Sequence, residues 1–298
     1  MDIKKDLPGI QENILLKDYT TFKIGGKAKY FFVAKNKENI IKAVLAAKKF
    51  KLPFFILGGG SNVLVSDKGY KGLVIKLLTT NYKLLNTKIY AEASVLLSSL
   101  VSESIKNGLT GLEWAAGIPG TVGGAIYGNA GAFGKSMKDI VKEVEILKIL
   151  DGRLQIVDFK NRECEFGYRD SIFKRNRNLI ILSAVLQLKK GKKEDIKKKI
   201  KEYLNYRRKT QPLEFPSAGS VFKNPSGFSA GELIGKCGLK GKKIGKAKIS
   251  EKHTNFILNL GGAKAKDVKK LINLIKKKVK KIFGIILEEE IQYLGFKK

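Results

Sequence analysis

Apolar positions recur at helical spacing in four stretches of this chain. Residues 38–50 place Ile40, Ile41, Val44, Leu45 and Ala47 on one face and lysines on the other. Residues 95–105 do the same with Val95, Leu96, Leu100, Val101 and Ile105, and Asn107-Gly108 closes that helix. A third amphipathic stretch, 195–208, is stopped by Gln211-Pro212. The longest stripe, Val268, Leu271, Ile272, Ile275, Val279 and Ile282, predicts a helix over 267–283 whose lysines, Lys276 to Lys278 included, face solvent. Short apolar runs predict strands at 30–34, 53–57, 63–65, 89–93, 144–150, 154–159, 179–188 and 284–294, with Asp151-Gly152 as a hairpin turn. Residues 1–20 have no strong period, and no internal repeat is visible.

Two glycine clusters interrupt this pattern. The first, Gly58-Gly-Gly-Ser-Asn62, ends a strand, helix and strand series, and strand ends are where open α/β architectures place ligands. The second runs from Gly117-Ile-Pro-Gly-Thr-Val-Gly-Gly124 into Asn129-Ala-Gly-Ala-Phe-Gly134. Glycine at that density suits a backbone that approaches something closely, and it predicts neither helix nor strand. Successive N–H groups in such a loop attract phosphate without needing a lysine. The spacing fits neither the P-loop nor the G-x-G-x-x-G turn. From these residues alone, a nucleotide cradle and a plain surface loop both stand.

Composition narrows the class. At 298 residues and 43% hydrophobic, the chain can bury a large core and form two domains. Cys164 and Cys237 are too few for a disulfide framework, the start carries no apolar leader, and no run reaches the ~18 apolar residues of a spanning helix. A cytoplasmic, soluble protein with reduced thiols is expected. The net charge of +32 is almost all lysine, spread over every segment and accompanied by isoleucine and asparagine. A coding bias toward A and T explains it better than a polyanion partner, although a basic nucleic-acid-binding protein stays as the non-enzymatic alternative. His253 has no second histidine beside it, so a hydrogen-bonded structural role is expected and no metal site.

Three further segments carry polar residues that a plain scaffold seldom needs: Tyr168-Arg-Asp-Ser-Ile-Phe173, Ser217-Ala-Gly-Ser-Val-Phe-Lys-Asn-Pro225 and Glu288-Glu-Glu-Ile-Gln292. Singly, Arg169 with Asp170 could be an ion pair, Ser220 a turn residue and Glu290 part of an acidic tail. In order, and together with Thr20-Thr-Phe-Lys-Ile-Gly-Gly26, both glycine clusters, Ala230-Gly-Glu-Leu-Ile234 and Gly238-Leu-Lys-Gly241, they resemble the UDP-N-acetylenolpyruvoylglucosamine reductases over about residues 18–295. The absence of an insertion between Phe173 and Leu179 is similar to the type II subtype. Phe133 stands where tyrosine is common, and Gly235 where an acidic residue is common.

The resemblance implies an α+β protein. Its flavin domain would be of the PCMH or vanillyl-alcohol-oxidase kind, in two α/β subdomains, followed by a C-terminal α+β substrate domain. The expected bounds are 1–192, with subdomains at about 1–75 and 76–192, and 193–298, the last strand returning toward the flavin. It implies non-covalent FAD held by Gly58, Gly59, Gly60, Ser61, Asn62, Gly117, Ile118, Gly120, Thr121, Gly123 and Gly124, with NADPH as co-substrate. It implies catalysis by Arg169, Ser220 and Glu290, and substrate contacts from Lys223, Asn224 and Arg207. The partners would be small molecules, with no specific nucleic acid and no membrane insertion. Hydride would pass from NADPH through the flavin to the enolpyruvyl group of a UDP-sugar, Arg169 polarising the carboxylate and Ser220 returning the proton. Glu290 would hydrogen-bond the enolate if protonated, or orient Arg169 if ionised. A related FAD oxidase or dehydrogenase acting on another substrate is the alternative.

Overall fold

The computed structural model describes residues 2–150 and 153–296; the expected Asp151-Gly152 turn lies outside them. Numbered in chain order, the strands used below are β1 (Gln11–Leu15), β2 (Lys27–Ala34), β3 (Phe54–Leu57), β4 (Val63–Val65), β5 (Tyr70–Leu77), β6 (Tyr82–Leu85), β7 (Lys88–Glu92), β8 (Val141–Leu150), β9 (Arg153–Lys160), β10 (Leu179–Gln187), β11 (Lys243–Ile244), β12 (Ala247–Ile249), β13 (Ile257–Asn259) and β14 (Gln292–Leu294). The helices are α1 (Lys37–Lys49), α2 (Leu97–Lys106), α3 (Val122–Tyr127), α4 (Lys193–Thr210), α5 (Ala230–Lys236) and α6 (Ala265–Phe283). None is long and apolar enough to cross a membrane.

Two compact units interleave along the sequence, so neither is a simple half of the chain. The first comprises the residues up to Ile10, Phe32–Gly59 and Val74–Arg207. Its frame is an antiparallel sheet in the order β9-β8-β10-β7-β6. The continuous apolar run of β10 is buried almost throughout, which is why it lies inside the sheet rather than at an edge. In α1, Asn36 caps the first turn through the Asn39 N–H at 2.8 Å, and Ile40, Ala43, Val44 and Ala47 are buried.

The second unit comprises Gln11–Phe31, Gly60–Leu73 and Arg208–Lys298. β1 pairs antiparallel with β2 from Gln11 opposite Phe31 to Leu15 opposite Lys27. β11, β12 and β13 form a small antiparallel sheet. Most of the predicted stripe of α6 is its core: Val268, Leu271, Ile272, Ile275 and Val279 are fully buried among Phe22, Ile24, Ile249 and Ile257, whereas Ile282 at the last turn is exposed. β14 pairs parallel with β4, Gln292 opposite Val63 through Leu294 opposite Val65.

Three expectations change. The glycine-dense stretch does contain a helix, α3, because Gly123 must lie where a Cβ would come within 2.9 Å of the Ala93 Cβ and 3.1 Å of its carbonyl oxygen. Tertiary contact overrides the poor helix propensity of glycine there. The predicted strand 284–294 shrinks to β14, since Gly284, at φ +73°, ends α6, and Phe222 with Glu289 forms only an isolated bridge. Lys276 is not merely solvated: its ammonium pairs with the Glu289 carboxylate at 3.0 Å.

Candidate active site

In the first unit the two glycine clusters abut. A Cβ on Gly58 would fall 2.7 Å from Thr121 Oγ1, and one on Gly59 would fall 3.3 Å from the Gly120 Cα. Glycine at 58 and 59 therefore permits a loop contact that any side chain would push apart. Thr121 caps α3 through the Gly124 N–H at 3.4 Å. The N–H groups of Val122 and Gly123 donate to Val95 and Ala93 carbonyls at 2.9 and 2.8 Å, and that of Ile118 to the Ala115 carbonyl at 3.0 Å. Among the described residues, no protein group accepts from the N–H of Gly58, Gly59, Gly117, Gly120 or Thr121. Backbone donors gathered in a glycine-walled loop suit a phosphate or pyrophosphate, so the residues fit the expected cofactor. Gly123 serves by close packing, its N–H being already used.

Two cations support this loop from behind. Lys76 donates to the Gly58 carbonyl, and burial lowers its pKa. Arg207 is 8% exposed and donates from Nε to the Ala116 carbonyl at 2.9 Å and from Nη2 to that of Trp114 at 3.2 Å. Its burial lowers the guanidinium pKa, and its charge lies over the ring of Phe133, which itself stacks on Tyr203 at 3.9 Å. A Cβ at Gly117 would meet Arg207 Cδ at 3.0 Å. Arg207, expected to contact substrate, thus braces the entry to the glycine loop.

The Tyr168-Arg169 pair tips a tight turn closed by Gly167 and Asp170, whose N–H groups each donate to the other's carbonyl at 3.0 and 3.3 Å. Arg169 is half-buried and has φ +54°, a left-handed conformation that non-glycine residues seldom adopt. The turn is fastened to the end of α3: Asn129 Nδ2 donates to the Gly167 carbonyl at 2.7 Å, and the Ser171 hydroxyl to that of Tyr127 at 2.7 Å. Lys174 Nζ donates to the Arg169 carbonyl at 3.0 Å. Asp170 pairs with Arg175.

In the second unit Gly60, at φ +66°, leaves room for the Tyr19 carbonyl, which a Cβ would approach to 2.1 Å. Thr21 ties this cluster to the serine segment: its N–H donates to the Gly60 carbonyl at 3.1 Å and its hydroxyl to that of Ser217 at 2.8 Å. The segment 220–223 then lies between two others. Glu290 N–H donates to the Val221 carbonyl at 2.8 Å and Lys223 N–H to that of Glu288 at 2.9 Å, while Ser220 bridges Phe256 on the other side. Ser220 and Glu290 are both half-buried. Lys223 Nζ pairs with the exposed Glu288 at 3.0 Å, and Asn224 Oδ1 accepts from the Ala230 N–H at 3.0 Å, at the start of α5. Ser61 and Asn62 are half-buried, and the Asn62 amide donates to the Glu290 carbonyl at 3.2 Å.

Sequence reasoning missed Thr21, Lys76, Asn129 and Asn255 as supports of these loops. Asparagine beside a glycine turn was the available signal for Asn129, at φ +42°. Nothing local marks the others. His253 packs its ring on Phe256 at 4.8 Å, and burial lowers its pKa. No group of histidine, cysteine and carboxylate side chains able to hold a metal is present among the described residues.

Known proteins resemble this chain over nearly its whole length. Residues 28–158 match a family described as FAD binding domain, and residues 211–294 match one described as UDP-N-acetylenolpyruvoylglucosamine reductase, C-terminal domain. The UDP-N-acetylenolpyruvoylglucosamine reductase of Caldanaerobacter subterraneus is 47% identical over 95% of this chain and 92% of its own. That of Caldicellulosiruptor bescii is 47% identical over 94% and 89%. The crystal structure of the Thermus caldophilus reductase (MurB) superposes with a TM-score of 0.81 at 38% identity, covering 96% of this chain and 99% of that one.

Proposed function

Since the chain belongs to the UDP-N-acetylenolpyruvoylglucosamine reductase family, we propose from that premise how its own residues carry the reaction. The protein is an FAD-dependent oxidoreductase, with NADPH as reductant, that reduces UDP-N-acetylglucosamine enolpyruvate to UDP-N-acetylmuramate for peptidoglycan. FAD, when bound, would supply the redox chemistry, the relay of hydride from NADPH to the enolpyruvyl group.

The observation that carries this reading is the abutment of Gly58 and Gly59 on Gly120 and Thr121, with their N–H groups unclaimed by protein among the described residues. We assign Gly58 to Ser61, Gly117, Ile118, Gly120, Thr121 and Gly124 to the non-covalent FAD site. Gly123 shapes the site by packing on Ala93, and Arg207 braces it through the Trp114 and Ala116 carbonyls. By sequence span we propose the flavin part as 1–192 and the substrate part as 193–298, bounds within which the family matches at 28–158 and 211–294 lie, although Gln11–Phe31 and Gly60–Leu73 pack with the C-terminal unit.

Arg169 binds and polarises the substrate carboxylate as charge develops beside it; a well-placed donor of this kind contributes about 3–4 kcal/mol to the transition state. Ser220 returns the proton to the carbon that bears the charge, and Lys223 supports the hydroxyl as it does so. Glu290 hydrogen-bonds the enolate where it holds a proton, and orients Arg169 where it is ionised. Asn224 orders the loop before α5 beside the substrate. The substrates are small cytoplasmic metabolites, and the surface lysines raise their local concentration without sequence-specific nucleic-acid binding.

The test is spectroscopic. Purified protein should be yellow, bleach with NADPH, and regain colour under anaerobic conditions with the enolpyruvyl UDP-sugar. A colourless protein retained by nucleic acid at physiological salt, or colour restored only by another oxidant, would sink the assignment.

A further inference from the structure

We propose that Asn255 is a positioning residue that holds Ser220 in place for proton return, an inference that rests on the role given to Ser220 above. The segment 217–225 forms no regular strand, and its neighbours touch it through single bridges, Ser220 with Phe256 and Phe222 with Glu289. A lone bridge fixes a chain far less than a ladder does. Asn255 supplies what a ladder would. Its Oδ1 accepts from the Phe222 N–H at 3.0 Å, its Nδ2 donates to the Phe222 carbonyl at 2.9 Å, and its own carbonyl accepts from the Val221 N–H at 2.8 Å.

All three bonds are shielded from water: Asn255 is 3% exposed and Val221 and Phe222 are each 1% exposed. A buried bond of this kind has no water to replace it when broken. On the other side of Ser220 stands Gly219, at φ +74°, the most permissive residue the backbone can carry. The nearest restraint on Ser220 therefore comes from its C-terminal side, from the two residues that Asn255 clips, since the hold on the N-terminal side is that of Thr21 on Ser217. Val221, one of the two, also accepts from the Glu290 N–H, and Lys223 beside them donates to the Glu288 carbonyl. Only a side-chain amide of this length both donates and accepts here: ionised aspartate cannot donate, and glutamine is a methylene too long.

The experiment uses the full chain loaded with FAD. Stopped-flow absorbance separates bleaching by NADPH from recovery of colour with the enolpyruvyl UDP-sugar, in wild type, Asn255→Ala, Ser220→Ala and the double variant. Asn255→Ala should slow recovery by about 10–100-fold and bleaching by less than about twofold; on the Ser220→Ala background it should add less than about twofold, because the proton donor it positions is gone. Asn255→Asp, of the same volume, guards against a variant that fails to fold. Its carboxylate cannot donate to Phe222, but protonation restores a donor, so its recovery rate should climb toward wild type as pH falls. Equal slowing of both halves, effects that multiply in the double variant, or no rescue of Asn255→Asp at low pH would overturn the proposal. If Ser220→Ala slows recovery while Asn255→Ala does not, this proposal alone fails. If Ser220→Ala recovers normally, the role given to Ser220 fails first.

Discussion

The side-chain amide of Asn62 donates to the carbonyl of Glu290, a residue 228 positions later, at 3.2 Å. Its main-chain carbonyl also accepts from the Gln292 N–H at 2.9 Å, so one residue holds the chain on both sides of Ile291, directly after Glu290. Asn62 was expected among the cofactor ligands, and its side chain instead meets the segment that carries a candidate catalytic acid. Asn62→Ala should therefore lower stability by about 1 kcal/mol, the usual worth of one such bond. It should slow recovery of flavin colour with the UDP-sugar while changing FAD affinity by less than about threefold. Fluorescence titration of FAD checks the second point, and a hundredfold loss there would return Asn62 to the cofactor.

The glycine contact makes a paired prediction. Gly58→Ala puts a methyl where Thr121 Oγ1 lies 2.7 Å away, and forcing such a site apart costs about 1–3 kcal/mol. FAD affinity should drop by about 10–100-fold in a protein that still folds. Thr121→Ala alone should lose the α3 cap, about 1 kcal/mol. Combined with Gly58→Ala it removes the atom that the methyl meets, so the double variant should bind FAD more tightly than Gly58→Ala. Isothermal titration of the apoprotein decides this, and simple addition of the two losses would mean that the loops do not depend on this contact.

Arg169 sets function against backbone comfort. At φ +54° a non-glycine residue loses about 1 kcal/mol, which glycine would regain while giving up a similar amount in chain entropy. Arg169→Gly should leave the melting temperature within a few degrees of wild type and slow colour recovery by about 10²–10³-fold. Arg169→Lys should slow it less, because lysine keeps the charge without the fork that grips a carboxylate. A large fall in melting temperature with parallel loss of both half-reactions would make Arg169 a structural residue.

What could be read in advance follows from where the determining contacts lie. α6 and β10 were legible because each carries its own signal, a stripe of Val268, Leu271, Ile272, Ile275 and Val279 in one and an unbroken apolar run in the other. β1 was not, since its residues are mostly exposed and only the pairing of Gln11 with Phe31 and its neighbours makes them a strand. α3 was hidden by its own glycines, Gly123 and Gly124, the first of which is there for Ala93. The candidate catalytic positions stood out through ordered motif resemblance, not through any local physical property. Asn255 and Thr21 stayed invisible because their partners, Phe222 and Ser217, become neighbours only in the folded chain.

The cysteines give a prediction free of the flavin's chemistry. Cys164 is fully buried, and its thiol donates to the Lys160 carbonyl at 3.5 Å. Burial, with the Glu163 carboxylate adding to it, pushes this thiol up to about 12, and burial also raises Cys237. An unfolded thiol ionises near ~8.5. Below that pH both states keep the proton, and Cys164 contributes no pH dependence. Above it the unfolded chain releases a proton that the folded chain retains, so the folded state loses stability as pH rises from about 9 toward 12. Lysines titrate in the same range, so the comparison that isolates the thiol is with Cys164→Ala: the stability advantage of wild type over this variant should hold from pH 6 to 8 and shrink steadily from pH 9 to 11, measured by urea unfolding. The same burial predicts that iodoacetamide at pH 8 leaves the native protein unmodified and labels both cysteines in denaturant. Labelling of Cys164 in the native protein, or an advantage that grows with pH, would place the thiol in a polar site.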